Sequence, residues 1–580
     1  MLKKINLYII IFLILLSYVI INLNFSYYNL IDYIDRDEGF LIEQLILKLG
    51  IYDIPKNITS AAEYGIDFYY FKYFFLILNQ IVDLKIIDIF KIKTLINSCF
   101  ALFSYVVIYK IFDLLNFKKI FYFLFLISIL SIPEVFRLSV SLKPDLNLLL
   151  FFVTLTYYFF LKSSIYKIKS DAYLFLIFLS LSLSIKAWAF PFILLLFFDK
   201  FNYSNNNLKS SKWIFFGLII FFIFLLNSYF FVIKDFISNN NDFLSFYDLY
   251  KYNIFLKTLV NIFNNYFYFL IIFSNIFFLI CLKIITSQNK FKDYLLKFFI
   301  FLMLWFIIWY PYISNLSTFT KTIIETSYAT TLNAHSSTYS DYEGIISHII
   351  KDLMDLKINL VIFIFFTMSP FFMYFYRINL LNYSKILIPL LSLCIFSLLF
   401  VNFITDYGNQ YPAKYLYFIF INIFVFYLVN LLSNIKYLYY PFLSIFLITS
   451  LMNVSLNFDK YLNYTNFLKM NDQVNSLVSL HQEKLNLDNK KLYTCGKNYP
   501  VDTNKSEIYI IGKNWEACLE KQFILNLNSD DFIVFETSHL RSEEFSKKYT
   551  LFYEDYHYVT NRFGKIINKS NQFYKKAKIK

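Results

Sequence analysis

Apolar runs of about 20 residues recur along roughly the first 450 positions of this chain, and short polar segments separate them. A helix of that length crosses a hydrocarbon core of roughly 30 Å, and inside lipid a helix satisfies its own backbone hydrogen bonds. The pattern therefore predicts a polytopic α-helical membrane protein with about 13 transmembrane helices. The predicted spans are 5–25, 92–112, 119–137, 145–161, 172–185, 187–199, 213–233, 259–282, 295–313, 358–376, 386–404, 414–432 and 437–452.

The pattern changes after residue 453. Short runs rich in β-branched and aromatic residues, at 491–495, 507–511 and 531–535, predict strands, and a helix is predicted around 515–523. The sequence therefore predicts two domains. Residues 1–452 form a transmembrane domain, and residues 453–580 form a small α/β domain outside the cytoplasm. The outer-face loops of the first domain are 26–91, 234–258 and 314–357.

Composition excludes a soluble protein. Of the 580 residues, 58% are hydrophobic and 16% are charged, whereas about 25% are charged in an ordinary soluble domain. A net charge of +14 could indicate nucleic acid as a partner, but the lysines lie between apolar runs rather than along one polar face. We therefore interpret the basic residues as determinants of membrane topology and predict no nucleic-acid partner.

The distribution of Lys and Arg predicts the orientation, because cytoplasmic loops are enriched in both. With the apolar stretch 67–82 placed on the outer surface, the inner segments contain 18 Lys or Arg in 67 residues and the outer segments 17 in 157. The first span also lacks a signal-peptidase site, so it is predicted to stay as an anchor. The sequence thus predicts a multi-pass protein of the bacterial inner (plasma) membrane, with a cytoplasmic N-terminus and a periplasmic or extracellular C-terminal domain. The inner segments are 1–4, 110–119, 162–171, 199–212, 283–297, 377–385 and 433–437.

The first predicted outer loop collects four carboxylates just beyond the first span, at Asp32, Asp35, Asp37 and Glu38. An amphipathic helix pattern follows and ends at Gly50, as expected for a helix that lies flat in the membrane interface. The dipole of such a helix favours anions at its N-terminus. A solvated acidic loop is the alternative interpretation, because acidic residues favour the outer side only weakly. The position of the cluster favours a functional role.

The Asp37-Glu38 pair, the amphipathic helix and the segment from Tyr64-Gly65 to Tyr69-Tyr70 resemble C-type (GT-C) glycosyltransferases that use polyprenyl-phosphate sugars. Within that superfamily the chain resembles the branch of protein O-mannosyltransferases and lipid A aminoarabinose transferases. Both prolines of the family's Tyr-Pro-Pro-Leu-Tyr-Tyr segment are missing here. Three further segments resemble the family's Pro-Asp, Thr-Lys and Arg-Tyr-Leu motifs in order: Leu142-Lys143-Pro144-Asp145-Leu146, Ser184-Ile185-Lys186 and Tyr411-Pro412-Ala413-Lys414-Tyr415-Leu416.

The resemblance implies transfer of a hexosyl or pentosyl group from a polyprenyl-phosphate carrier to a hydroxyl of a lipid, glycan or protein at the outer face. Asp37 would accept the proton of the acceptor hydroxyl in a single, inverting displacement, and Glu38 would orient the acceptor or its own helix. The lysines would contact the phosphate, although Lys414 replaces an Arg and cannot make that residue's bidentate contact. The candidate substrate-binding residues are Asp35, Tyr64, Lys143, Asp145, Lys186, Lys414 and Tyr415.

Each of these residues also has a simpler interpretation. Lysines at the ends of membrane spans extend harmlessly to the interface, and Asp145 could cap a helix that follows Pro144. No cofactor is certain. A divalent metal ion is possible, but His335 and His348 in loop 314–357 lack the tight spacing of metal ligands.

Two other features stay open at the level of sequence. Cys495 and Cys518 both fall in the predicted outer domain, so they are candidates for a disulfide in an oxidising compartment. A transporter or flippase for lipid-linked sugars is the first rival function, although such proteins usually contain paired repeats and interrupted helices. A polysaccharide polymerase or ligase that uses lipid-linked sugars is the second.

Overall fold

A computed structural model describes the larger part of the chain. The described residues are 86–130, 145–199, 289–313, 360–375, 380–404, 411–433, 435–456, 466–494, 507–510, 528, 530–536, 543–560 and 566–576, with isolated positions at 74–82, 132, 135, 227 and 266–276.

Helices occupy the described apolar runs. The first group is α1 (Ile86–Leu114), α2 (Lys119–Leu130), a π-turn (Asp145–Leu149), α3 (Leu150–Tyr166), α4 (Lys169–Ile185), a 3₁₀-helix (Ala187–Leu194) and α5 (Leu195–Phe198). The second group is α6 (Asn289–Ile313), α7 (Leu360–Thr367), α8 (Ser369–Phe375), α9 (Leu380–Ile404), α10 (Tyr411–Leu431) and α11 (Lys436–Leu456).

Interhelical contacts fix the directions of the helices. Thr156 Oγ1 lies 3.2 Å from Ser182 Oγ, and the rings of Phe159 and Phe178 stack at 5.3 Å. The residue numbers of these contacts rise along α3 and fall along α4, so the two helices are antiparallel.

A second set of contacts orients α10. Trp188 of the 3₁₀-helix contacts Tyr417 of α10, and Phe192 contacts Phe420, so residue numbers rise in the same direction along both helices. The chain returns from Lys186 to Asp199, which contacts Ser163 near the end of α3, so the 3₁₀-helix runs opposite to α4. It follows that α10 runs in the same direction as α3. By the same argument α2 is antiparallel to α10, since Ser128 and Phe121 contact Asn422 and Phe426.

These directions divide the described helices between two ends of one bundle. At the end that we call the Asp199 end, α3 and α10 finish and α4 and α6 begin. The turn between α1 and α2 lies there too, because the Asn430 amide near the end of α10 bonds the backbone of Asn116 and Lys118. At the opposite end, which we call the Lys186 end, α3 and α10 begin and α4 finishes.

The helices are apolar but are not buried all round. Two described stretches, Leu95–Leu114 and Leu146–Tyr166, are long and apolar enough to cross a membrane by length and composition. Of these stretches, 44% of the first and 61% of the second is buried inside the structure. Large apolar side chains are exposed on many of the helices, among them Phe103, Phe123, Phe197, Ile307, Phe371, Tyr374, Ile395 and Ile448.

The C-terminal region forms a five-stranded sheet among the described residues. Its strands are β1 (Lys491–Thr494), β2 (Glu507–Ile510), β3 (Phe532–Glu536), β4 (Tyr549–Thr560) and β5 (Ile566–Lys576), in the order β2-β1-β3-β5-β4. β1 pairs in parallel with β2 and β3, while β5 pairs antiparallel with β3 and β4. Two helices accompany the sheet, α12 (Asn466–Leu485) and α13 (Glu543–Lys548).

The first three strands lie where the short β-branched runs predict them. α12 and the β4–β5 hairpin were not part of the prediction. α12 is joined to the sheet by a small core of Leu485, Leu487, Leu492, Phe532, Val534 and Phe573. The predicted helix around 515–523 lies outside the described residues, as do Cys495 and Cys518.

Candidate functional site

The Lys186 end of the bundle holds every described residue that the sequence singles out as a candidate for substrate binding. Asp145 opens the π-turn before α3, and Lys186 joins α4 to the 3₁₀-helix. Lys414 and Tyr415 lie in the first two turns of α10. The π-turn contacts both α10 and α4. Three chain segments that are far apart in sequence therefore meet at this end.

Lys186 is the whole connection between α4 and the 3₁₀-helix. Its backbone is extended, with φ −157° and ψ 141°. Its amide donates to the Ser182 carbonyl at 3.3 Å and closes α4, and its carbonyl accepts the Ala189 amide at 3.1 Å and opens the 3₁₀-helix. A single residue can make this turn because its amide forms a hydrogen bond with α4 and its carbonyl forms one with the 3₁₀-helix.

The ammonium of Lys186 lies over the face of the neighbouring indole. Lys186 Nζ is 3.7 Å from the centroid of the Trp188 ring, well within the range of a cation–π interaction. Lys186 is half-buried and Trp188 is buried. The contact restricts a side chain that has four rotatable bonds, so its positive charge is held near the turn.

Lys186 lies deeper in the bundle than the start of α3. It follows Ser182 by four residues, whereas Asp145 precedes Thr156, the residue level with Ser182, by eleven. At 1.5 Å per residue these separations are about 6 Å and about 16 Å. Among the described helices, α4 therefore ends about 10 Å deeper along the bundle axis than the start of the π-turn. We call this difference in depth the step, and Lys186 lies at its base.

The first turn of α10 stands beside this step. Tyr417 is level with Trp188, so Lys414 precedes that level by one turn. Pro412 is the second residue of α10, where its fixed φ suits a helix start and its missing amide hydrogen is not needed. The N-terminus of a long helix carries a partial positive charge. Together with Lys186 this arrangement favours an anion.

Polar side chains that the sequence analysis did not single out are buried near this end. Asn147 lies within the π-turn, and its side-chain oxygen accepts the Leu148 amide. On α1, Lys93 Nζ donates to Asn97 Oδ1 at 3.1 Å, and both side chains are buried. Lysine and asparagine inside an apolar run are the signal that could have identified them, because polar groups are expensive at membrane depth.

The other predicted site residues lie outside the described part of the chain, are described at the backbone alone, or are buried. Asp35, Asp37, Glu38, Tyr64 and Lys143 lie outside the described residues. For Asp145 and Lys414 the structure describes the backbone but not the side chain, and Tyr415 is buried. The two histidines of loop 314–357 are also outside the described residues. In the described parts of the chain, no group of three or more His, Cys, Asp or Glu side chains is arranged to hold a metal ion.

No protein family model, no curated protein and no solved structure matches this chain.

Proposed function

We propose that this chain is a multi-pass membrane glycosyltransferase that moves a sugar from a polyprenyl-phosphate carrier to a hydroxyl acceptor at the outer face of a membrane. The observation that carries the proposal is the meeting of Asp145, Lys186, Lys414 and Tyr415 at one end of the bundle. The acceptor is a lipid, a glycan or a protein.

The apolar surface of the bundle supports the membrane part of the proposal. Large apolar side chains are exposed on many of the described helices. Large exposed apolar patches are rare on soluble monomers, and in lipid such side chains are matched to their surroundings. The charges support it too, because the Asp199 end collects parts of the inner segments 110–119, 162–171, 199–212 and 283–297.

The chemistry requires a base for the acceptor and cations for the leaving phosphate. The acceptor oxygen attacks the anomeric carbon while the bond from that carbon to the phosphate oxygen breaks. The hydroxyl proton passes to the Asp37 carboxylate, and the phosphate leaves with both electrons of the broken bond. Lys186, Lys414 and the N-terminus of α10 stabilise the negative charge of the leaving phosphate.

A transfer assay with total polyprenyl-phosphate sugars as donor tests this proposal on Asp37→Asn, Glu38→Gln and Lys186→Gln. The matched control is Lys110→Gln, because Lys110 is an exposed lysine of α1 toward the Asp199 end. We expect Asp37→Asn to lower the rate by about 10² to 10⁴, the usual contribution of a general base. Lys110→Gln should retain full activity at equal abundance in the membrane. Full activity in all three site variants would overturn the proposal.

One observation favours transport as a second function. The extended residue Lys186 interrupts the helical path between α4 and the 3₁₀-helix, and α3 opens on an irregular π-turn; transporters use interrupted helices to build their substrate sites. Reconstituted vesicles distinguish the two functions. Movement of the lipid-linked sugar between leaflets with no new covalent product would replace the transferase proposal with transport, whereas a glycosylated acceptor would support the transferase.

A further inference from the structure

The 3₁₀-helix that follows Lys186 contains a backbone carbonyl that lacks the regular donor of a 3₁₀-helix. In a 3₁₀-helix the carbonyl of residue i accepts a hydrogen bond from the amide of residue i+3. For the Trp188 carbonyl that residue is Pro191, which lies inside the helix. Proline has no amide hydrogen, so the Trp188 carbonyl lacks its i+3 partner and can accept from another donor.

Tyr417 supplies that donor from α10. Its hydroxyl donates to the Trp188 carbonyl oxygen, and the two residues are 229 positions apart in the chain. Both side chains and Pro191 are buried. A buried carbonyl left without a partner is costly, so this bond ties the turn at Lys186 to α10.

We propose that Tyr417 is a positioning residue that holds the Lys186–Trp188 turn in register with the first turn of α10, so that Lys186 and Lys414 meet the same phosphate. This inference rests on the proposed function. Three features support it: the missing donor at Pro191, the hydroxyl that replaces it, and the contact between the Lys186 ammonium and the Trp188 ring at 3.7 Å. Tyr417 acts through the Trp188 backbone and does not itself contact the ligand.

The chain offers a matched control and a rescue. Tyr157 of α3 is another buried tyrosine, and its hydroxyl has no hydrogen-bond partner among the described residues. Tyr157→Phe therefore removes the same atom from a similar environment without breaking a bond. In the opposite direction, Pro191→Ala restores an amide hydrogen at the position from which the Trp188 carbonyl would accept it.

The experiment measures the dissociation constant of a polyprenyl monophosphate for the full-length chain in detergent. We expect Tyr417→Phe to weaken binding about tenfold, near the upper end of the effect of one hydrogen bond, and Tyr157→Phe to leave binding unchanged. The double variant Tyr417→Phe with Pro191→Ala should recover most of the loss. Lys186→Gln should weaken binding less in the Tyr417→Phe background than in the wild type, because the two residues act on one contact.

The outcomes separate this inference from the function on which it rests. If the wild-type chain binds no polyprenyl monophosphate, the proposed function fails. If Lys186→Gln weakens binding while Tyr417→Phe behaves like Tyr157→Phe, only the positioning role of Tyr417 is overturned. A loss in Tyr417→Phe that Pro191→Ala does not recover would overturn it as well, because the hydroxyl would then serve something other than the Trp188 carbonyl.

Discussion

At the scale of single residues, Lys297 of α6 shows how the bundle keeps a charge away from water. Its side chain is 1% exposed, and Nζ lies 3.0 Å from Asp293 Oδ2 and 3.5 Å from Asp199 Oδ2. Nζ also donates to the Asp199 carbonyl at 2.7 Å, and Ser163 Oγ donates to Asp199 Oδ1 at 3.4 Å. Lys297 thus joins the first turns of α6 to Asp199, the residue after α5, and Asp199 in turn contacts the end of α3 through Ser163.

Lys297→Met should destabilise the protein strongly, because it keeps the apolar volume and removes the cation that contacts the buried Asp199 carboxylate and the partly buried Asp293 carboxylate. The removal of one partner from a buried ion pair costs about 3–5 kcal/mol. Thermal unfolding of the detergent-solubilised chain measures the effect. Lys490→Met is the control, since its partner Asp530 is 70% exposed at 3.6 Å and an exposed pair contributes only about 0–1 kcal/mol. Equal melting temperatures for the two variants would contradict this account.

The sequence predicted Lys186 but not the residues that hold it. A lone lysine between two apolar runs is visible in the sequence because it is the only charge between the spans 172–185 and 187–199. The bond between Tyr417 and Trp188 depends on how two distant helices pack. The sequence places Lys297 in the basic inner segment 283–297, where lysines usually face water. Its burial depends on the tertiary contacts with Asp199.

At the scale of elements, the apolar runs predicted helices at the described positions but not the type of helix. The runs at 145–161 and 187–199 contain a five-residue π-turn and an eight-residue 3₁₀-helix. A run that is apolar all round has little periodicity to distinguish a π, α or 3₁₀ spacing. The strands β1, β2 and β3 were predictable from their composition, whereas β4 and β5 contain many polar residues and no clean alternation.

Polar contacts between helices should contribute measurably to the packing of these elements. Ser128 of α2 donates to Asn422 Oδ1 of α10 at 3.0 Å, and Asn422 Nδ2 donates to the Phe418 carbonyl at 2.9 Å. A double-mutant cycle of Ser128→Ala and Asn422→Leu, followed by unfolding in detergent, should give a coupling energy of about 0.6 kcal/mol, the average for such bonds between membrane helices. Strict additivity of the two substitutions would show that the contact does not join α2 to α10.

At the scale of the whole molecule, the alternating directions of the described helices give the two ends different characters. The Asp199 end gathers ion pairs, of which Lys162–Asp171 and Lys297–Asp293 are two. At the Lys186 end, the two long helices α3 and α10 begin, and Lys186 lies at the base of the step. A catalytic end that faces the outer side requires the Asp199 end to face the cytoplasm, in agreement with the Lys and Arg distribution.

Cysteine labelling in right-side-out membrane vesicles tests that orientation. Ser170→Cys places a thiol at an exposed position of the Asp199 end, and Lys547→Cys places one at an exposed position of α13 in the C-terminal region. We expect a membrane-impermeant maleimide to label Lys547→Cys in intact vesicles and Ser170→Cys only after permeabilisation, with the unmodified chain as the blank. The reverse pattern would turn the Lys186 end toward the cytoplasm, where the transferase would have to meet its lipid-linked donor on the inner leaflet. Labelling of both thiols in intact vesicles would place the two positions on one side, and the alternation of spans between them would then be wrong.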